Sequence, residues 1–162
     1  PMENGQLTPK RGSESRTEQI QILMPAHING YKRLFGGKLM EWIDVVAAVV
    51  ARRHANREIT TACVDSLEFQ SAAHVNSTIV LVGCITHVGK TSMEVRVDTF
   101  VESLAGERRR INRAYLVMVA LDDNEQPTPV PGLILETDEE KQEWEAAIKR
   151  RALRKQRAAG MV

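Results

Sequence analysis

The chain has almost no net charge. Its 22 lysines and arginines are met by 21 aspartates and glutamates, so no global field draws it to nucleic acid, and basic charge gathers only locally, at Arg108 to Arg110 and from Lys149 to Arg157. Only two cysteines occur. Cys63 and Cys84 fall in strand-like runs without a C-x-x-C partner, which argues for reduced core thiols and a cytoplasmic protein rather than a disulfide or metal pair. No apolar run approaches the roughly 18 residues of a bilayer crossing, and no charged segment followed by a signal-length apolar stretch stands near the N-terminus. A protein that is neither exported nor membrane-bound is expected. His27, His54, His74 and His87 are scattered without metal-ligand spacing and no Gly-x-Ser-x-Gly elbow is present, so neither a metal nor a serine nucleophile is expected.

What is present suits one domain with one core. Residues 1–17 hold Gly, Ser, Pro and charge but few large apolar side chains, and are expected to form a loose tail. Gln19 to Ile22 alternates as a short half-buried strand, and Pro25 ends it. A long helix is expected from about Gly37 to Ala55. Four strand-like runs follow, Thr60 to Phe69, Thr78 to His87, Ser92 to Glu102 and Asn112 to Leu121, separated by turn residues and joined by connections short enough for antiparallel pairing. Met93, Val95, Val97 and Val101 alternate with Glu94, Arg96 and Asp98, as in a sheet with one face on the core and the other in solvent or at an interface. Thr99 and Phe100 break that alternation. After Pro127, Pro129 and Pro131, Thr137 with Asp138, Glu139 and Glu140 marks a helix start, and basic residues crowd the end near Arg157. The expected organisation is a tail over 1–17, a domain over 18–137, and a basic helix and tail over 138–162.

Asp44 is the candidate that chemistry singles out. It stands alone in the otherwise apolar run from Trp42 to Ala51, on a helix that reads as buried, where a desolvated carboxylate needs a partner or a task. Upstream, Gly36 and Gly37 open backbone amides at the start of that helix, where the dipole favours negative charge. Asn29 precedes them in the loop. Asp44 can serve as a base or a nucleophile, a Gly36 or Gly37 amide can stabilise an oxyanion, and Asn29 can orient a water, unless it is only the turn residue that Asn-Gly pairs often supply. A helix that is apolar on nearly every side also needs a curled sheet around it, with sheet pairing to a second subunit.

The run from Asn29 to Asp44, containing Leu34-Phe35-Gly36-Gly37-Lys38-Leu39-Met40-Glu41-Trp42-Ile43-Asp44, resembles the hotdog-fold acyl-CoA thioesterases of the cytosolic acyl-CoA hydrolase type. Thr61-Ala62-Cys63-Val64-Asp65, Gly89-Lys90-Thr91-Ser92-Met93-Glu94-Val95 and Val117 through Gly132 resemble the family's later strands, so the likeness spans about residues 18 to 150. It implies an α+β hotdog fold: a five-stranded antiparallel sheet wrapped around the long helix, plus a C-terminal helix. It further implies a homo-oligomer with the dimer as active unit and three dimers in a hexamer, with Asn29 and Asp44 as the catalytic asparagine and aspartate meeting from different subunits. The loop Ala73-His74-Val75-Asn76 departs from the family's more frequent Gly-Asp turn, away from the chemistry.

The activity implied is hydrolysis of acyl-CoA to a free acid and coenzyme A without a cofactor. Phe35, Met40 and Trp42 are expected near the acyl chain. The turn Gly89-Lys90-Thr91-Ser92 is either a plain hairpin or a contact to pantetheine and phosphate. Arg108 to Arg110 reads as a solvated turn or a phosphate site. Two rival readings stand beside hydrolysis: an acyl-CoA-binding hotdog protein without catalysis, and an RNA- or polyanion-binding protein using the basic C-terminal helix. Scarce aromatics and balanced charge disfavour the last.

Overall fold

Alternating apolar residues build a five-stranded antiparallel sheet, and the helix expected to be wrapped lies in its curl. The computed structural model describes residues 7–31, 33–34 and 36–160. In chain order the elements are β1 (Lys10–Arg11), β2 (Thr17–Ile22), α1 (Gly36–Ala55), β3 (Glu58–Phe69), β4 (Thr78–Val88), β5 (Ser92–Glu102), β6 (Arg108–Leu121), β7 (Leu133–Ile134) and α2 (Asp138–Ala158). Strands β2-β4-β5-β6-β3 lie side by side in that order. The connection from β3 to β4 therefore crosses the sheet from one edge toward the other instead of forming a hairpin. Its turn uses Asn76 at φ 70°, a left-handed conformation that Asn tolerates better than most residues.

Helix α1 touches all five strands. Its buried face, Leu39, Trp42, Ile43, Val46, Ala47 and Val50, meets Ile79, Leu81, Met93, Val95, Val97, Leu116 and Met118 from the concave side of the sheet. Burial of each large aliphatic there is worth about 1.5–3 kcal/mol. Sheet and helix approach closely at Gly83, where an added Cβ would sit 2.7 Å from Val46 Cγ1 and 2.9 Å from Val50 Cγ2.

Several expectations are corrected. The segment expected to be loose up to about residue 17 is tied down from Lys10: Lys10 and Arg11 pair in parallel with Leu133 and Ile134, Ser15 is fully buried, and Lys10 Nζ donates to the Arg53 carbonyl at 3.1 Å. Backbone pairing and polar anchors order this segment where composition showed too little apolar surface. The polar face of β5 is not in solvent: Glu94 and Asp98 are buried, Glu94 beneath Arg150 and Arg154 of α2 and Asp98 against Arg113 of β6 and Arg96 of β5. Arg108, Arg109 and Arg110 belong to β6 rather than to a turn, and Arg108 pairs with Glu18 at 2.7 Å and Glu102 at 2.9 Å. The break at Thr99 and Phe100 is a register shift between β5 and β6.

Helix α1 is not buried all round. Within one chain Glu41 and Val45 are exposed and Asp44 is only partly covered. That open flank faces β3, the last strand of the sheet, whose Val64 and Phe69 are exposed as well. The apolar character of the helix exceeds what a single chain covers.

Candidate active site

Two groups of expected residues stand at opposite ends of β3. At one end, Asn29 lies beside Phe69, Gln70, Ser71, Leu34, Leu39 and Ile111 around a cavity of about 320 Å³. Asn29 Oδ1 accepts from the Tyr31 amide at 2.9 Å and the Arg33 amide at 3.3 Å, so the residue does build its own turn. The carboxamide oxygen is thereby engaged, and the Nδ2 donors are what Asn29 can offer a ligand. Gly36 opens α1 at the same end, its missing Cβ 3.9 Å from the Phe69 ring. Phe35, expected at the substrate, lies outside the described residues.

At the other end stands Asp44, on the second turn beyond those glycines. Eight residues of helix separate it from Gly36, about 12 Å of rise. Its carboxylate meets Thr61 of β3, whose hydroxyl donates to Asp44 Oδ1 at 2.7 Å. Thr61 Oγ1 also lies 3.4 Å from Met118 Sδ, so the hydroxyl sits between an apolar sulfur and a single strong acceptor. This bond fixes one carboxylate oxygen and leaves Oδ2 for a water or a substrate. Sequence reasoning did not single out Thr61: it stands within a strand-like run, and nothing along the chain marks which threonine faces α1.

The structure thus brings Asp44 to Thr61 and Asn29 to Gly36, and holds the two pairs apart within the chain. Trp42 is on the core side, its ring edge-on to His27 with centroids 5.0 Å apart. Met40 is partly exposed. The Gly89-Ser92 turn is a hairpin closed by Gly89 N to Ser92 O at 2.8 Å, and the carbonyls of Lys90 and Thr91 are taken by the amides of Val130 and Ala120. An added Cβ at Gly89 would sit 3.1 Å from the Arg151 guanidinium, which places a cation of α2 against this turn.

Both cysteines are free, and burial pushes the Cys84 thiol above its ordinary pKa. His54 is fully buried with Nε2 2.8 Å from the Pro131 carbonyl. No helix among the described residues is long and apolar enough to cross a membrane.

Residues 31–105 match the thioesterase superfamily. The chain is 39% identical over 145 residues, 89% of this chain and 84% of the other, to an uncharacterized acyl-CoA thioester hydrolase of Bacillus subtilis (strain 168). It is 32% identical over 141 residues to the Homo sapiens cytosolic acyl coenzyme A thioester hydrolase, covering 85% of this chain but spanning 37% of that longer protein. Among solved structures, an apo-hexameric acyl-CoA thioesterase superposes with a TM-score of 0.91 at 40% identity, covering 94% of this chain and 99% of that one. The acyl-CoA hydrolase of Staphylococcus aureus, in complex with butyryl coenzyme A, coenzyme A and coenzyme A disulfide, superposes with a TM-score of 0.89 at 33% identity and 93% coverage of both chains. Mutants of that enzyme replace an asparagine, an aspartate and a threonine by alanine, at the same two spacings that separate Asn29, Asp44 and Thr61 here. With the hotdog architecture and near-complete coverage in hand, the chain belongs to the thioesterase superfamily, among its acyl-CoA thioester hydrolases.

Proposed function

We infer that this chain hydrolyses acyl-CoA thioesters to a free carboxylic acid and coenzyme A. The observation that carries the reading is the Thr61 to Asp44 hydrogen bond of 2.7 Å on the open flank of α1. A binder of acyl-CoA gains nothing from a carboxylate aimed in this way, whereas hydrolysis needs a base or a nucleophile at the carbonyl. Asp44 Oδ2 either draws a proton from the water that attacks the carbonyl carbon, or attacks that carbon itself to form an anhydride that water then hydrolyses, releasing the acid and restoring the carboxylate. Asn29 Nδ2 donates to the attacking water and orients it. The amides at Gly36 and Gly37 stabilise the oxyanion. The thiolate of coenzyme A leaves, and the reaction calls for no cofactor beyond the coenzyme A carried by the substrate.

The active unit in this reading is a twofold dimer. Strand β3 is a twelve-residue sheet edge, with unpaired backbone groups on its outer side, and an exposed edge of that length invites pairing. Asp65 lies midway between Thr61 and Phe69, so a twofold axis near it sets the Phe69 end of one subunit against the Thr61 end of its partner. Asn29, Gly36 and Gly37 from one chain then meet Asp44 and Thr61 from the other. The same docking covers the open flank of α1 and buries Asp44. Three such dimers make the hexamer.

Phe35 and Met40 line the acyl path in this assembly, and Gly89, Lys90, Thr91 and Ser92 contact the coenzyme. Trp42 acts from behind, supporting the helix. Two free thiols fit a reducing, cytoplasmic setting. The test is thiol release across acyl-CoA chain lengths, with calorimetry of free coenzyme A. Turnover with product inhibition supports the reading. Tight binding without release of thiol converts the protein to an acyl-CoA sensor, and no binding at millimolar coenzyme A overturns both.

A further inference from the structure

Asp65 faces the wrong way for its place in the strand. Thr61, Cys63, Asp65 and Leu67 follow one another by two and would share one face of an unbroken strand. Their partners divide them. Thr61 sits opposite Met118 and Leu67 opposite Ala114, both fully buried on the α1 side, whereas Asp65 is turned to the opposite face and into α2. Two register shifts produce this, one between Thr61 and Cys63 and one between Val64 and Ser66. The first bulge, at Ala62, moves the helix-facing set to even numbers, as in Val64 opposite Leu116. The second, at Asp65, returns it to odd numbers at Leu67.

The second bulge is held from outside. The Asp65 side chain is 7% exposed, and its Oδ2 accepts from Arg154 Nη1 at 2.9 Å. Its Oδ1 accepts from Arg157 Nη1 at 3.2 Å. The same Arg154 nitrogen lies 3.1 Å from Glu94 Oε2 on β5, so one guanidinium spans β6 and ties the middle of the sheet to its edge. Arg150 fixes Glu94 from the other side at 2.8 Å and 3.1 Å. Burial works against the charge on Glu94, yet its bonds from Arg150, Thr86 and Arg154 hold its pKa below the ordinary glutamate value. A carboxylate as covered as Asp65 is costly without its cation, so the outward turn of the strand depends on these arginines.

We propose that Arg154 is a positioning residue of the hydrolytic site: by holding Asp65 outward it maintains the double bulge of β3 and so the placement of Thr61 against Asp44. The inference rests on the hydrolytic reading of those two residues. Thr61 to Ser66 is six residues set against the four from Met118 to Tyr115. Closing both bulges therefore slides Thr61 by two residues, roughly 7 Å along the strand. It would still face α1, because two is the side-chain period, but out of reach of Asp44.

The test uses the full-length oligomer carrying Arg154→Gln or Arg154→Lys, each with and without Thr61→Ala. Arg154→Gln is expected to lower kcat for thiol release by roughly tenfold to a hundredfold, the scale of a misplaced catalytic group, with KM nearly unchanged. Arg154→Lys, which keeps a cation at Asp65, loses less. In the Thr61→Ala background the Gln substitution costs less than about twofold, because the bond it protects is already gone. Equal losses in both backgrounds, or no loss at all, overturn the proposal. Asp65→Asn gives the same comparison should Arg154→Gln fail to assemble. If the wild-type protein releases no thiol from any acyl-CoA, the hydrolytic reading fails, and backbone hydrogen exchange decides the latch alone: faster exchange confined to residues 58–66 in Arg154→Gln supports it, and unchanged exchange overturns it.

Discussion

The hydroxyl of Thr61 donates to Asp44 Oδ1 at 2.7 Å, joining the sheet's edge strand to the open flank of the central helix. A threonine in this position does two things for the carboxylate. It occupies Oδ1 and restricts rotation about the carboxyl bond, which leaves Oδ2 to a water or a substrate.

Removing that hydroxyl is expected to cost activity more than stability. Thr61→Ala should lower kcat for acyl-CoA hydrolysis by roughly one to two decades, within the range of a lost orienting hydrogen bond, while KM and the oligomer stay close to wild type. Thr61→Ser keeps the donor and should retain most of the activity. Steady-state thiol release on the two variants checks the order, and equal activity in all three proteins contradicts the role.

Asn29→Ala and Asp44→Ala should each lower kcat by roughly two to four decades, the worth of a positioned base or polarising group. Neither variant places both groups in the same site if the site is shared. Co-refolding the two inactive proteins should restore about a quarter of wild-type activity, because half the dimers are mixed and each mixed dimer regains one complete site. Confirmed mixing without recovery would place both residues in one subunit.

Gly83 permits a close approach of β4 to α1. A methyl group there meets Val46 Cγ1 at 2.7 Å and Val50 Cγ2 at 2.9 Å, both on a core helix with no room to withdraw. Gly83→Ala is expected to destabilise by about 1–3 kcal/mol through overpacking, and Gly83→Val by more. Chemical denaturation at fixed protein concentration measures it, and an unchanged midpoint for Gly83→Ala would show that the helix shifts freely.

Stability should fall on mild acidification. Burial pushes His54 below its ordinary pKa, against the raising effect of the Pro131 carbonyl, and burial followed by Arg151 does the same to His87. Below about pH 6.5 the unfolded chain binds protons that the folded protein refuses, so the stabilisation is complete above that value and declines as pH falls toward the folded pKa values. Denaturation midpoints taken between about pH 7.5 and 5.5 should drop, and His54→Gln should flatten the slope. A midpoint that rises with acid would reverse the assignment.

Much of the fold was legible because its signals are local. The alternation in Ser92 to Glu102, the turn at Gly89, the cap at Thr137 and the apolar run from Leu39 to Ala51 each depend on neighbours a few residues away. Thr137 does accept from the Glu140 amide at 3.0 Å. The ordered segment at Lys10 and the arginines of β6 were not legible, since their partners lie far along the chain: Leu133 for Lys10 and Glu18 for Arg108.

The sequence by itself placed a carboxylate and a glycine pair on one largely apolar helix, with an asparagine in the loop before it, because residue type and helical period are properties of the chain alone. The tertiary structure alone decided which groups meet. Strand order put β3 at the sheet edge, two bulges reversed and then restored the facing of its side chains, and with that register Thr61 lies within reach of Asp44 while Asp65 turns to Arg154. Facing in a strand is a matter of register with a distant partner, and a shift of one residue exchanges inside for outside. No pattern within the strand itself carries that information.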